Sequence, residues 1–213
     1  MNRLTSTLSP IWLAGLLGAS GAVLAGETPY TLDPGHTQVQ FNWNHLGFSN
    51  PGASFDDISG TLSWDAADIT KSSVKVSMPV DSIHSHVPLL DQKLKSDEFL
   101  GASKFPKIDF TSTKVEKTDS ADRYKVTGDL TVHGVTKPVV LDVTLNHTGI
   151  YPMLNVPAAG FDATTSFKRS DFGVGGGVPY VSDEIRVRIT AEALEAKGFA
   201  KAMKAMSESG GKK

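Results

Sequence analysis

The chain has 213 residues, with 21 Lys and Arg against 23 Asp and Glu, and it contains no cysteine. This length is enough for one or two domains with a substantial core. The formal net charge of −2 gives no general attraction to nucleic acid, which requires clustered Lys and Arg, so we expect no nucleic-acid partner. The absence of cysteine excludes disulfides, cysteine-ligated metal centres, thiol catalysis and a lipid-modified N-terminal cysteine.

The first 25 residues have the organisation of a secretory signal peptide. Arg3 gives a basic start, an uncharged stretch rich in Leu, Ala and Gly runs from Ile11 to Leu24, and the small residue Ala25 follows. A membrane anchor is the alternative, but the stretch is shorter than the ~20 apolar residues of a spanning helix, and its glycines weaken a helix. We therefore predict cleavage after Ala25 and export, with a periplasmic location in a Gram-negative source.

Alternation of apolar and polar residues dominates the chain after the signal peptide. A period of two is typical of antiparallel strands with one buried and one solvated face. The pattern predicts about eight strands, several of them about ten residues long. The apolar rows are Val39, Phe41, Trp43, His45; Gly60, Leu62, Trp64; Val74, Val76, Met78, Val80; Ile108, Phe110, Ser112; Tyr124, Val126, Gly128, Leu130, Val132; Val139, Leu141, Val143, Leu145; Phe161, Ala163, Thr165, Phe167; and Ile185, Val187, Ile189.

The connections between these rows are mostly short. Gly134 permits a tight turn, and Pro138 stands at a strand start, where its missing N–H group does little harm. The long connection 88–106 contains an amphipathic stripe that predicts one short helix. The segment 149–160 contains two prolines and predicts no regular element. The segment 195–213 predicts a polar C-terminal helix followed by a flexible tail.

No repeat or interior linker divides residues 26–194, so we predict a single domain. An antiparallel sheet of eight strands either closes on itself or splits into two packed layers. Long strands joined by hairpins favour an all-β fold with one extended eight-stranded antiparallel barrel, and a sandwich is the alternative. A barrel of this size is either filled by side chains or wide enough for one slim ligand.

Several motifs keep a fixed order along nearly the whole mature chain. They are Leu32-Asp33-Pro34-Gly35-His36-Thr37, Leu94 to Leu100, Phe105-Pro106, Val126 to Val139 (VTGDLTVHGVTKPV), Arg169-Ser170-Asp171-Phe172-Gly173, and Val181 to Ile185. In this order they resemble the YceI-like family of exported, lipocalin-like barrels that are described as polyisoprenoid-binding. One departure concerns the predicted helix, where Leu90 and Lys93 stand at positions that carry Arg and His in many members. A head-group role of those positions is therefore not carried over.

The resemblance implies an exported, non-catalytic carrier whose lumen holds a long apolar chain, such as an isoprenoid lipid or an isoprenoid quinone, without a cofactor. A weak contact of the Lys-rich tail with membrane surfaces and a homodimer are further expectations. Together with the alternation, the resemblance predicts that the lumen is lined by Phe41, Trp43, His45, Leu62, Trp64, Met78, Phe110, Val126, Leu130, Leu141, Val143, Phe161 and Phe167.

Two other interpretations remain open. The first is a periplasmic enzyme or metal-binding protein that uses His36 and His45, or His84 and His86 with Asp81, because imidazole suits zinc and copper. The second is an interaction module whose barrel is completely filled by side chains. His45 itself fits either a hydrogen-bonded core position or a contact with the polar end of a ligand.

Charged groups near the C-terminal strands are expected at the barrel rim. Arg169 and Asp171 predict rim charges or turn caps. Asp171-Phe172-Gly173 matches a kinase motif, but the other kinase motifs are missing, and we interpret it as a turn.

Overall fold

The computed structural model describes residues 27–210, and the predicted signal peptide lies outside this range. The strands are β1 (Thr28–Leu32), β2 (Gln38–Asn42), β3 (Gly52–Phe55), β4 (Ser59–Trp64), β5 (Ser73–Pro79), β6 (Ile83–His84), β7 (Lys107–Lys117), β8 (Arg123–Val132), β9 (Val135–Tyr151), β10 (Val156–Lys168) and β11 (Glu184–Glu195). The helices are α1 (Pro88–Lys95) and α2 (Ala196–Gly210). No helix within residues 27–210 has the length and apolar character needed to span a membrane.

The strands form one closed antiparallel barrel with eight positions around its wall. Each of the first three positions is shared by two successive strands, β1 with β2, β3 with β4, and β5 with β6, and each of β7 to β11 occupies one position. The ring closes because β11 pairs with β1 near its C-terminal end and with β2 near its N-terminal end. This arrangement confirms the predicted eight-stranded barrel, and the two-layer sandwich is wrong.

A short loop interrupts the wall between β1 and β2. The Asp33 carboxylate accepts a hydrogen bond from the Gly35 N–H at 2.8 Å and lies 2.8 Å from Nδ1 of His36. The main chain of Asp33 stays attached to the barrel through a 2.8 Å hydrogen bond to the carbonyl of Glu192. The loop therefore returns the chain to the wall at Thr37, directly before β2.

The hairpin between β8 and β9 has the tight turn predicted at Gly134. His133 and Gly134 have φ angles of 51° and 74°, so both central residues of this two-residue turn are left-handed. Turns of this kind match the twist of the two flanking strands. A Cβ atom at position 134 would also overlap the ring of Phe105, so glycine is required for space as well as for conformation.

The prediction that residues 149–160 lack regular structure is wrong. β9 continues to Tyr151 and β10 begins at Val156, so the two strands form a long hairpin. Asn155 makes the turn with a φ of 54°, and its N–H donates to the carbonyl of Tyr151 at 2.8 Å. Asn tolerates this left-handed conformation better than most residues do. Pro157 is accommodated within β10 with an exposed side chain.

Two groups of buried residues lie at opposite ends of the strands. The first, which we call the cap, consists of Leu94 from α1 together with Phe172 and Val174, which follow β10. At the other end, α2 packs Phe199 against Val156 and Leu194 on the outer side of the barrel. Helix α2 is therefore docked on the barrel over at least its first turn.

Candidate functional site

The interior of the barrel is hollow. Inward-facing side chains enclose a lumen with a cavity volume of about 280 Å³. The surface that these side chains present to the lumen is apolar. Several of them, including Val143, Phe161 and Val187, keep partial solvent exposure although they face the barrel axis, as expected where no side chain fills the centre. The alternative of a completely filled barrel is therefore wrong.

The structure brings twelve of the thirteen predicted lining residues together on the lumen wall. They come from seven of the eight wall positions, because the alternation of each strand turns every second side chain inward. These twelve residues are Phe41, Trp43, Leu62, Trp64, Met78, Phe110, Val126, Leu130, Leu141, Val143, Phe161 and Phe167. Their contact with a ligand stays a prediction.

His45 is the exception, and its predicted inward orientation is wrong. β2 ends at Asn42, so His45 lies beyond the alternating part of the chain, and it is exposed. Its main chain forms isolated bridges with Ser49 and Val181 in a turn, and it is absent from the lumen wall. The turn is made by the left-handed residues Leu46 and Gly47.

The cap supplies lumen residues that the strand pattern did not predict. The lumen is lined by the three cap residues Leu94, Phe172 and Val174 and by Leu100, which follows α1. The ring of Phe172 is 1% exposed and packs edge-on against Phe167 at a centroid distance of 5.2 Å. The motifs that contain Leu94 and Phe172 were recognised in the sequence, but a non-periodic segment does not indicate which of its side chains turn inward.

Arg169 is buried and bonds to loop carbonyls, so of the two predicted roles the rim charge is wrong and the structure fits the turn cap. Its guanidinium donates to the carbonyls of Val174 at 2.8 Å, Ser182 at 3.0 Å and Val181 at 3.1 Å. Burial lowers the pKa of Arg169 from its usual value, and the charge of Asp183 opposes this effect. Arg169 therefore connects the loop segments at Val174 and at 181–182 to the end of β10. Its charge is buried at the cap end of the lumen.

Thr37 lies among the residues of the lumen wall, but its hydroxyl oxygen is buried and adds no polar surface to the lumen. Thr37 is 7% exposed, and its Oγ1 has no hydrogen-bond partner in the described chain. The sequence motif that contains Thr37 was identified, but the motif alone did not distinguish this side chain from its neighbours. Its burial follows from the loop that returns the chain to the wall before β2.

One cluster of possible metal ligands lies beside this loop. Asp33, His36 and Glu192 each present one ligand atom within 4.8 Å of the others, and they are the one such group of three or more in residues 27–210. The hydrogen bond from His36 to Asp33, supported by the negative charges of Asp33 and Glu192, raises the pKa of His36 despite partial desolvation. This cluster pairs His36 with carboxylates, and no contact joins it to His45.

His84 and His86 approach each other, as the H-x-H spacing predicted. Nε2 of His84 lies 3.0 Å from Nδ1 of His86, and Nδ1 of His84 lies 3.7 Å from the carboxylate of Asp91. Asp91, and not the predicted Asp81, is therefore the acidic neighbour that the structure places beside this pair. Neither histidine lines the lumen.

Comparisons with known proteins agree with this architecture. The family model described as YceI-like domain matches residues 30–193. Protein YceI of Salmonella arizonae is 35% identical over 185 residues, which cover 87% of this chain and 95% of that protein. The crystal structure of a Campylobacter jejuni YceI protein matches with a TM-score of 0.65 and 31% identity over 71% of this chain and 89% of that one.

A more distant structure shares the fold. It is described as a polyisoprenoid-binding domain from Saccharophagus degradans, and it matches with a TM-score of 0.60 over 79% of this chain and 99% of that one. At 12% identity, this match shows a common barrel architecture and no more.

Proposed function

Because the chain belongs to the YceI-like family and its barrel encloses an apolar lumen, we propose that it is an exported, non-catalytic carrier of a polyisoprenoid or another long-chain amphiphilic lipid. The observation that carries this proposal is the hollow lumen, which is shaped by strands on all sides and lined by apolar side chains. The Saccharophagus degradans domain with the same fold, described as polyisoprenoid-binding, supports an isoprenoid lipid as the ligand.

Apolar burial alone is sufficient for useful affinity. Burying roughly 600 Å² of a prenyl chain contributes about 15 kcal/mol at ~25 cal/mol per Å². Subtracting an association cost of about 7 kcal/mol leaves about 8 kcal/mol, which corresponds to a dissociation constant near 1 μM. Such a carrier needs no group that reacts with its ligand.

The positions of the histidines favour binding over catalysis. His36, His45, His84 and His86, on which the enzyme alternative depends, all lie outside the lumen wall. A lipid in the lumen would therefore not meet any of these acid–base or metal-binding side chains. The family and its structural neighbours also favour a binding role.

Export to the periplasm after cleavage behind Ala25 is part of the proposal. It is supported by the sequence of residues 1–25 and is tested by measuring the intact mass of protein recovered from a periplasmic fraction. Contact with anionic membranes is supported by the exposed Lys197, Lys201 and Lys204 on α2 and is tested by co-sedimentation with vesicles. The expected homodimer is tested by light scattering of the purified protein.

The ligand is tested on natively purified protein. We expect organic extraction and mass spectrometry to recover about one long-chain lipid per protein molecule. We also expect a prenyl quinone added to delipidated protein to change the fluorescence of Trp43 and Trp64, which line the lumen. Recovery of no stoichiometric lipid together with an unchanged fluorescence would contradict the carrier function.

A further inference from the structure

Both ends of the lumen are closed by buried side chains. The cap covers one end, where Leu94, Phe172 and Val174 are buried. At the end near α2, Tyr30 and Ala193 continue the inward-facing rows of β1 and β11, but they are buried in a packed group and do not border the lumen. Entry at either end would require a buried group to move away, so an opening in the side wall is the more direct route.

The side wall has such an opening between β5 and β7. The ladder that joins these strands ends at the pair of Lys75 and Thr111, although β7 continues to Lys117. The next main-chain N–H on β5, that of Val74, donates to the side-chain hydroxyl of Ser112 at 2.8 Å instead of to the main chain of β7. The two strands therefore separate at this level.

The lumen extends to this opening. Three successive residues, Ser72, Ser73 and Val74, border the lumen, whereas only every second residue of a strand does so within a closed wall. Ser73 is also the one exposed residue of the lumen wall within residues 27–210. On the other side of the opening, Val115 and Tyr124 line the lumen and are partly exposed. Solvent and lumen therefore meet between β5 and β7.

A short segment that precedes β5, residues 65–72, lies over this opening, and we call it the strap. It contains one 3-10 turn, and its residue Ile69 lines the lumen. In the described chain, the hydrogen bonds of the strap join residues of the strap itself. For example, the carboxylate of Asp65 accepts the main-chain N–H groups of Ala67 and Asp68 at 2.9 and 2.8 Å. The strap can therefore move as a unit without losing these bonds.

One ion pair connects the strap to β7. Nζ of Lys117 lies 3.9 Å from the Asp68 carboxylate, and this is the one ion pair between the strap and β7 among residues 27–210. Lys71, which belongs to the strap, lies 4.0 Å from the other oxygen of the same carboxylate. All three side chains are more than one-third exposed, and exposed ion pairs are weak. Separating the strap from β7 therefore costs little electrostatic energy.

We propose that the lipid enters and leaves the lumen through this side opening, which we call the portal, when the strap moves away from β7. The surface of the lumen is apolar, so the polar end of a bound lipid stays in the portal, where Thr70, Lys71 and Lys117 are exposed. This inference rests on the proposed carrier function and adds the route and the orientation of its ligand.

Because the chain contains no cysteine, a cross-link can test the portal directly. Asp68→Cys and Lys117→Cys are introduced together, and a short bismaleimide joins the strap to β7. Stopped-flow Trp fluorescence then reports the uptake of a prenyl quinone by delipidated protein. The matched control is the same double variant with each thiol capped separately by N-ethylmaleimide. We expect the cross-linked protein to take up the quinone at least about tenfold more slowly than the capped control.

A second cross-link tests the cap as the entrance. A Cβ atom at Gly176, in the loop after Phe172, would lie 3.5 Å from Cγ of Glu98, which follows α1. Glu98→Cys with Gly176→Cys therefore allows the same bismaleimide to join the two segments of the cap. We expect the cross-linked and capped forms of this variant to take up the quinone at the same rate.

Single substitutions test the ion pair without a cross-link. Lys117→Met removes the contact with Asp68, and we expect the quinone to be taken up about two- to fivefold faster. Lys125→Met is the matched control, because Lys125 forms an exposed ion pair with Asp142 on the outer face of the wall. We expect K125M to take up the quinone at the rate of wild type.

The outcomes separate the portal from the carrier function. Equal uptake rates in the cross-linked and capped strap variant, or slower uptake caused by the cap cross-link, would overturn the portal while normal equilibrium binding keeps the carrier function. If the double variants do not fold, equal uptake rates in K117M and K125M would overturn it. If wild type does not bind the quinone at equilibrium, the carrier function fails, and the portal fails with it.

Discussion

Ala163 offers a position at which the lumen can be filled from within. It lies on β10, faces the lumen, is 7% exposed, and pairs with Val143 and Ile189 on the neighbouring strands. A phenylalanine at this position would extend into the lumen, which has the volume to hold the ring. The adjacent Thr164 points outward and is exposed, so Thr164→Phe introduces the same side chain on the opposite face of the same strand.

The expected loss of affinity follows from the area that the ring occupies. A buried phenylalanine covers about 150 Å², and removing a similar area from a bound lipid costs about 4 kcal/mol at ~25 cal/mol per Å². We therefore expect A163F to bind a prenyl quinone about a thousandfold more weakly than wild type and T164F to bind it normally. The assay is a titration followed by Trp fluorescence, with circular dichroism melts to verify folding.

Two results would refute this reasoning. Normal affinity of a folded A163F protein would show that lipid does not occupy the lumen beside Ala163. An equal loss of affinity in T164F would show that ligand binding depends on the outer surface. If A163F does not fold, Ala191→Phe fills the same lumen from the neighbouring strand and replaces it.

The remaining predictions concern the cap, the β1–β2 loop and the wall. Arg169→Met should lower the free energy of unfolding by about 2–4 kcal/mol in urea titrations, because it leaves three carbonyls without their donor. An unchanged free energy of unfolding would show that these three hydrogen bonds do not stabilise the cap. NMR titration should give His36 a pKa above its ordinary value, and Asp33→Asn should reduce it. Because folding raises the pKa of His36, protonated His36 stabilises the folded state. This contribution is complete below the pKa that His36 has in the unfolded chain, and it is lost as the pH rises through the pKa that His36 has in the folded protein. A pH-independent difference in stability between wild type and D33N would contradict this. Gly128→Ala should destabilise the protein by about 1–3 kcal/mol, because its Cβ would overlap the ring of Phe110 and the main-chain carbonyl of Thr111. Gly160→Ala should not, because no atom lies within 4 Å of its Cβ. Equal melting temperatures of the two variants would contradict the close packing at Gly128.

The strand pattern was predictable because the barrel has only two environments, the lumen and the outer surface. Leu62 and Trp64, for example, alternate with polar residues that face outward. The predicted tight turn at Gly134 was equally local, since its φ of 74° is a conformation that glycine adopts readily. Both features depend on residues that are close in sequence, so the sequence contained the information needed to predict them.

The errors occurred where the chain leaves a regular strand. Alternation extends one row to His45, but it does not show that β2 ends at Asn42. Likewise, a register shift in β7 after Ser112 places Val115 on the lumen wall, although it is out of phase with Ile108 and Phe110. Strand ends and bulges are set by pairing with distant segments, and a single-strand pattern does not include that information.

The role of Arg169 also depended on distant segments. Its sequence neighbours are polar and indicate a turn at the surface. Its actual partners are main-chain carbonyls of Val174, Val181 and Ser182, which any residue type could supply. No side-chain pattern identifies such partners before the fold is known.

The hollow interior determines how the stability of this barrel is distributed. Side chains beside an empty space lack dispersion contacts on one side, and Phe161 and Val187 are only partly buried although they face inward. Full burial is found where another element covers the side chain: Leu194 beneath α2 is 0% exposed, and Phe172, which lines the lumen but packs against Phe167 in the cap, is 1% exposed. A lipid in the lumen would supply the missing contacts, and at a hundredfold excess over its dissociation constant it would stabilise the folded state by about 2.7 kcal/mol. The feature that makes room for a ligand therefore also makes the stability of the barrel depend on whether the ligand is bound.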